Sequence, residues 1–124
     1  MRYDKFEDLL GKVLRSVEVR HLDRGDQIVF RCKSGENYVL YHQQDCCECV
    51  YIKDIDGVLG DLVGSKLTMA ELVTRRGTEE YGDTNTWSFY KLACLNGYVT
   101  ISWYGSSNGY YSETVQFEKE MNVQ

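Results

Sequence analysis

The residues best suited to chemistry gather in one segment, YHQQDCCECVYI, where His42 precedes Cys46, Cys47 and Cys49, with Asp45 and Glu48 interleaved. Cys46 and Cys49 have the two-residue gap that lets both thiolates reach one zinc ion, and His42 is a candidate third ligand. A closed structural zinc site takes four ligands, usually from two separated pairs. The chain offers Cys47, Asp45, or the distant Cys32, Cys94 and His21 as the fourth. The favoured reading needs no cofactor: reduced cysteines pack as small apolar groups. Five cysteines cannot all pair within one chain, which fits a reducing, cytoplasmic setting. A thiol nucleophile with His42 as base is the enzymatic alternative, centred on His42, Asp45, Cys46 and Cys47. No third orienting group stands beside them, so no residue is assigned as catalytic.

Two other motifs fail on spacing. Asp54-Ile55-Asp56-Gly57 starts like a calcium loop, but its glycine is fourth rather than sixth, and the twelfth residue is Ser65 rather than Glu. Gly105-Ser106-Ser107-Asn108-Gly109 is glycine-rich but leads into a strand pattern, whereas a phosphate loop opens a helix.

The elements that must position these residues are mostly strands. Alanine occurs twice, while Val, Ile and Thr total 23 and the aromatics 16, a composition that suits a pleated, half-buried surface. A short N-terminal helix is expected, with Asp4 as cap, Glu7 completing the capping box, Phe6, Leu9 and Leu10 on one face, and Gly11 as stop. Alternation then predicts a three-strand meander: Ser16 to His21, a strand with Ile28, Phe30 and Cys32 inward, and Tyr38 to His42. Val50 to Ile52 continue a strand, and Val58, Leu59, Leu62 and Val63 fit one face of a short internal helix ended by Gly64. Lys66 to Thr74 reads as a strand and Arg75 to Thr86 as a polar loop. Trp87 to Leu95 and Tyr98 to Tyr104 flank Asn96-Gly97, a strong type I′ hairpin signal. A second turn at Ser106 to Gly109 leads into a strand from Tyr110 to Phe117. The expected fold is α+β: one domain over residues 1–124, predominantly antiparallel sheet, with those two short helices.

The last hairpin supplies a second candidate surface. Val99, Ile101, Trp103, Tyr111, Val115 and Phe117 are expected to face inward. Tyr98, Thr100, Ser102, Tyr104, Tyr110 and Ser112 face outward with Thr114. Tyrosine gives rigid, amphipathic contact area at low entropic cost, so this face is a candidate binding surface. The same pairs on a solvated sheet would merely stabilise strand pairing.

Net charge is −5, and residues 34–63 alone carry that excess. An acidic chain lacks the basic charge that displaces counterions from phosphates, so general nucleic-acid binding is not expected. The apolar runs are too short for a membrane helix, and MRYDKFEDLL carries acids where a secretory signal would be apolar.

The blocks YHQQDCCECVYI (41–52), DLVGS with AEL (61–65, 70–72) and TWSFYKLACLNGYVTISWYGSSNGYYSETVQF (86–117) resemble a small uncharacterised family found in phages, prophages and other bacterial mobile elements. Cys49 stands where that family is expected to carry Asn or Ser, which leaves His42, Asp45, Cys46, Cys47 and Glu48 as the shared polar set. The resemblance implies an accessory protein acting inside a bacterial cell, and implies no activity. The resulting expectation is a non-enzymatic binding module for a host protein or a small ligand, with counter-defence as one role. The alternatives are the metal- or thiol-dependent enzyme and a self-associating structural protein whose Tyr face or sheet edge meets a second copy.

Overall fold

The computed structural model describes residues 5–78 and 82–120. Two four-stranded antiparallel sheets enclose one core. The first runs β1 (Leu14–Leu22), β2 (Gly25–Cys32), β3 (Asn37–Tyr41) and β8 (Gln116–Glu120), in the order β1-β2-β3-β8. The second contains β4 (Cys49–Asp56), β5 (Met69–Thr78), β6 (Thr84–Cys94) and β7 (Gly97–Ser107), in the order β4-β7-β6-β5. The meander of the first three strands is as expected from alternation. Ile28, Phe30, Tyr38 and Leu40 point into the core against Tyr90, Leu92, Val99, Ile101 and Trp103 of the other sheet. Each such fully buried apolar side chain contributes roughly 1.5–3 kcal/mol, and the sum holds the sheets together.

No α-helix is present among the described residues, so the α+β expectation is corrected to an antiparallel two-sheet fold. Both expected helices are single 3-10 turns, Phe6–Leu9 and Leu59–Leu62. Each turn is cut off within two residues by a glycine of positive φ, Gly11 after the first and Gly64 after the second, and four residues are too few to propagate an α-helix. The three-residue spacing still buries Phe6 and Leu9 together, but it leaves Leu10 in solvent. The Lys5 backbone N–H donates to the Asp8 carboxylate at 3.0 Å; Asp4, the expected cap, lies outside the described residues.

Several strand boundaries also move. The segment expected to be a polar loop after Thr74 continues β5 to Thr78, and β6 begins at Thr84. The hairpin turn is Leu95-Asn96, with Gly97 already paired to Cys94 as the first residue of β7. Gly97 is there for closeness rather than for a left-handed turn: a Cβ would sit 2.7 Å from the Asp61 Cβ. The stretch from Tyr110 to Phe117 is not a third hairpin strand. Because β7 is already flanked by β4 and β6, both its edges are taken. Residues 108–115 therefore form a loop, and β8 pairs with β3 in the opposite sheet, where Phe117 stacks on Tyr38 with centroids 5.1 Å apart.

A register shift between Ile52 and Asp54 inserts Lys53 as an extra residue in β4. That bulge resets the alternation, so Val50, Ile52 and Ile55 all reach the core side while Asp54 faces out opposite Ser102.

Candidate functional site

His42 follows β3 on its inward face, continuing the alternation of Tyr38 and Leu40, and is buried with Glu48. Its Nδ1 lies 2.7 Å from the Thr114 carbonyl oxygen and its Nε2 2.8 Å from Glu48 Oε2. The Glu48 carboxylate also accepts from the backbone N–H groups of Asp45 and Cys46, each at 2.9 Å, and from the Gln44 amide at 3.2 Å. Burial pushes this carboxyl up, but the Cys46 and Asp45 N–H groups and the His42 ring outweigh it and hold it at about 2. The imidazole is held between two acceptors, the carboxylate at one nitrogen and the Thr114 carbonyl at the other. The cluster thus folds segment 42–48 around one anion.

The candidate zinc ligands His42, Cys46 and Cys49 are not brought together as a set. Both His42 nitrogens are engaged, Cys46 is joined to Cys47 as a disulfide, and Cys49 is exposed on β4. Among the described residues, no three His, Cys, Asp or Glu side chains are placed to hold a metal ion. The expectation of wholly reduced, buried cysteines is corrected in the same place: Cys46 and Cys47 are paired and exposed, and only Cys32 and Cys94 are buried thiols. A groove of about 340 Å³ reaches His42 between Arg24, Asp26, Gln43 and Gln44, but Asp45, Cys46 and Cys47 do not line it. The polar set therefore does not converge on a common cavity.

The second sheet presents a different arrangement on its outer face. Tyr104 of β7 stands opposite Tyr51 of β4 on one side and Trp87 of β6 on the other. The rings follow one another edge to face, at 5.9 Å from Tyr51 to Tyr104 and 4.8 Å from Tyr104 to Trp87. Phe89 lies parallel to Trp87 at 5.9 Å. All four rings are partly exposed. Tyr98, Thr100 and Ser102 continue along the same face of β7, and Tyr98 is about half exposed. Cross-strand aromatic pairs contribute roughly 0.5–1.5 kcal/mol beyond burial, so the row both stabilises the sheet and offers flat apolar area to a partner. Of the expected surface, Tyr98, Thr100, Ser102 and Tyr104 lie here. Tyr110 and Ser112 do not, because the loop 108–115 carries them to the end of the sandwich, where Tyr110 packs on Tyr111 at 5.1 Å. Tyr111, expected in the core, is half-buried on that loop.

Alternation along Trp87-Ser88-Phe89-Tyr90 could have placed Trp87 and Phe89 outward once Tyr90 is taken as core. Reading Trp87 only as the start of a strand missed it.

A third cluster escaped sequence reasoning altogether. Glu113, on the 108–115 loop, is buried and accepts hydrogen bonds from Thr84, Thr86 and Ser107 on the inner face of β6 and β7. Burial pushes its carboxyl up, and the Ser107, Thr84 and Thr86 hydroxyls more than offset this, holding it below the usual carboxylate range. It lines a cavity of about 290 Å³ with Arg76, Asn85 and Tyr111. Thr84 and Thr86 lie more than 25 residues from Glu113, and no local motif joins them to it.

A family model described as "Domain of unknown function (DUF7448)" matches residues 7–117. No curated protein and no solved structure matches the chain. No helix among the described residues is long and apolar enough to cross a membrane.

Proposed function

The chain belongs to the DUF7448 family, a domain of unknown function, and from that premise we propose that it is a non-enzymatic binding module. Its ligand, a protein or a small molecule, docks on the outer face of the second sheet, over Tyr51, Tyr104, Trp87 and Phe89. The observation that carries this reading is the continuous, partly exposed ring row across three strands. Rigid aromatic area of this kind is what interfaces use as anchors. The His42–Glu48 cluster supports the same reading from the other side, since its polar atoms are spent on one another and on the backbone. Buried groups with satisfied hydrogen bonds act as scaffold.

The resemblance of the three sequence blocks to proteins of phages and mobile elements gives this reading its setting: an accessory protein in the bacterial cytoplasm, with interference in host defence as its role. No cofactor is assigned.

Native mass spectrometry of protein purified from its host tests the binding reading. Wild-type protein retains a partner or small ligand, and substituting Trp87 and Tyr104 together by Ser releases it. Retention unchanged by that double substitution would remove the aromatic face from consideration.

A further inference from the structure

Strand β5 forms one edge of the second sheet and, among the described residues, pairs as a strand with β6 alone; the Phe6–Leu9 turn packs against it but leaves Glu71 to Thr78 exposed. It is ten residues long, contains no proline, and is exposed from Glu71 to Thr78. Its pairing with β6 runs from Met69 to Thr78 without a bulge. Natural sheets usually shorten, bulge or block such an edge, because its free N–H and C=O groups template another strand. Here the exposed edge carries two apolar residues, Leu72 and Val73, about 40% and 44% exposed, between an acid at Glu71 and bases at Arg75 and Arg76.

That order is self-complementary. We infer that β5 pairs antiparallel with β5 of a second copy, about a two-fold axis at Val73. In this register Glu71 of each copy stands opposite Arg75 of the other, Leu72 opposite Thr74, and Val73 meets Val73. Directly opposed residues in an antiparallel pair share a face, so both Glu–Arg pairs lie on the outer face with the aromatic row. The neighbouring registers that keep the faces aligned, centred on Leu72 or on Thr74, place neither arginine opposite Glu71. A one-residue slip would turn every side chain to the wrong face.

The dimer joins the two second sheets into one eight-stranded sheet. Val73 stands beside Phe89 in each copy, so Phe89 and Val73 of both copies form one line across the axis. The two aromatic rows then share a single surface.

Light scattering on the eluting full chain, across a concentration series, tests this. The wild type forms a dimer. Glu71→Arg or Arg75→Glu alone puts like charges opposite each other twice per dimer and weakens association about tenfold or more. The double variant Glu71→Arg/Arg75→Glu restores it. Glu71 and Arg75 are both exposed, so circular dichroism should show every variant folded. A wild type that stays monomeric at every concentration overturns the proposal. So does a dimer indifferent to the single reversals, or a double variant that remains dissociated. A dimer lost only when Trp87 is replaced by Ser would assign the contact to the aromatic face, and would overturn β5 pairing.

Discussion

The His42 Nδ1 donates to the Thr114 carbonyl across 2.7 Å and 72 positions of sequence. This bond ties the Cys-rich segment to the loop that delivers Glu113, the next residue back, to the Thr84, Thr86 and Ser107 hydroxyls. Two buried carboxylates, Glu48 and Glu113, thereby fasten the same end of the molecule from either side.

Replacing Glu48 by Gln should therefore destabilise the fold without touching the aromatic face. The amide cannot accept from His42 and from two backbone N–H groups as an anion does, and the loss expected is about 2–4 kcal/mol. Urea unfolding followed by circular dichroism measures it. A midpoint unchanged from wild type would show that the cluster is not structural.

Acid stability follows from the same carboxylate. Its value is 4.5 when free and about 2 in the fold. The unfolded chain therefore takes up the proton first as pH falls. Stability from Glu48 is fully present above 4.5 and is lost as pH drops from there through about 2. The urea midpoint of wild type should decline over that window. Glu48→Gln should decline less steeply, with the remaining slope coming from groups such as Glu113. Parallel slopes would contradict the assignment.

Gly97→Ala tests why the hairpin turn sits where it does. The new Cβ would meet the Asp61 Cβ at 2.7 Å, so β7 or the Leu59–Leu62 turn must shift. Overpacking of this kind costs about 1–3 kcal/mol, read as a lowered thermal midpoint. Pairing the change with Asp61→Gly removes the obstructing atom and should recover part of the loss. If the glycine served a left-handed turn instead, that second change would recover nothing.

The thiols should separate cleanly by accessibility. Cys49 is exposed, Cys32 and Cys94 are buried, and burial pushes the Cys32 thiol up. Alkylation of the native protein without reductant should add a label at Cys49 first. Unfolding should then expose the other two, and Cys46 and Cys47 should label only after reduction. Peptide mass spectrometry gives the order, and early labelling of Cys32 would contradict the packing.

Much of the fold was legible where period-two alternation met a single buried face. The meander from Leu14 to Tyr41 and the core positions Val99, Ile101 and Trp103 follow from it directly. What failed were elements decided by the rest of the molecule. Phe6 and Leu9 fit a helix face, but nothing local distinguishes one 3-10 turn from an α-helix cut short. The final strand could not be placed from local signals, because its partner depends on which edges of β7 are already occupied. The site was legible in the same measure. Tyr98 and Tyr104 share a strand and appeared together, whereas Trp87 and Tyr51 join them only through register. Glu113 has three hydroxyl partners, two of them more than 25 residues away, and no spacing rule collects them.

The central claim is that the outer face of the second sheet, rather than the His42–Glu48 end, meets the ligand. Site-specific photo-cross-linking in the host cell tests it most directly, with benzoylphenylalanine placed at position 104 in one protein and at position 44 in another. The account predicts an adduct from position 104, lost when Trp87 is replaced by Ser, and none from position 44. An adduct formed at position 44 and absent at position 104 would contradict it.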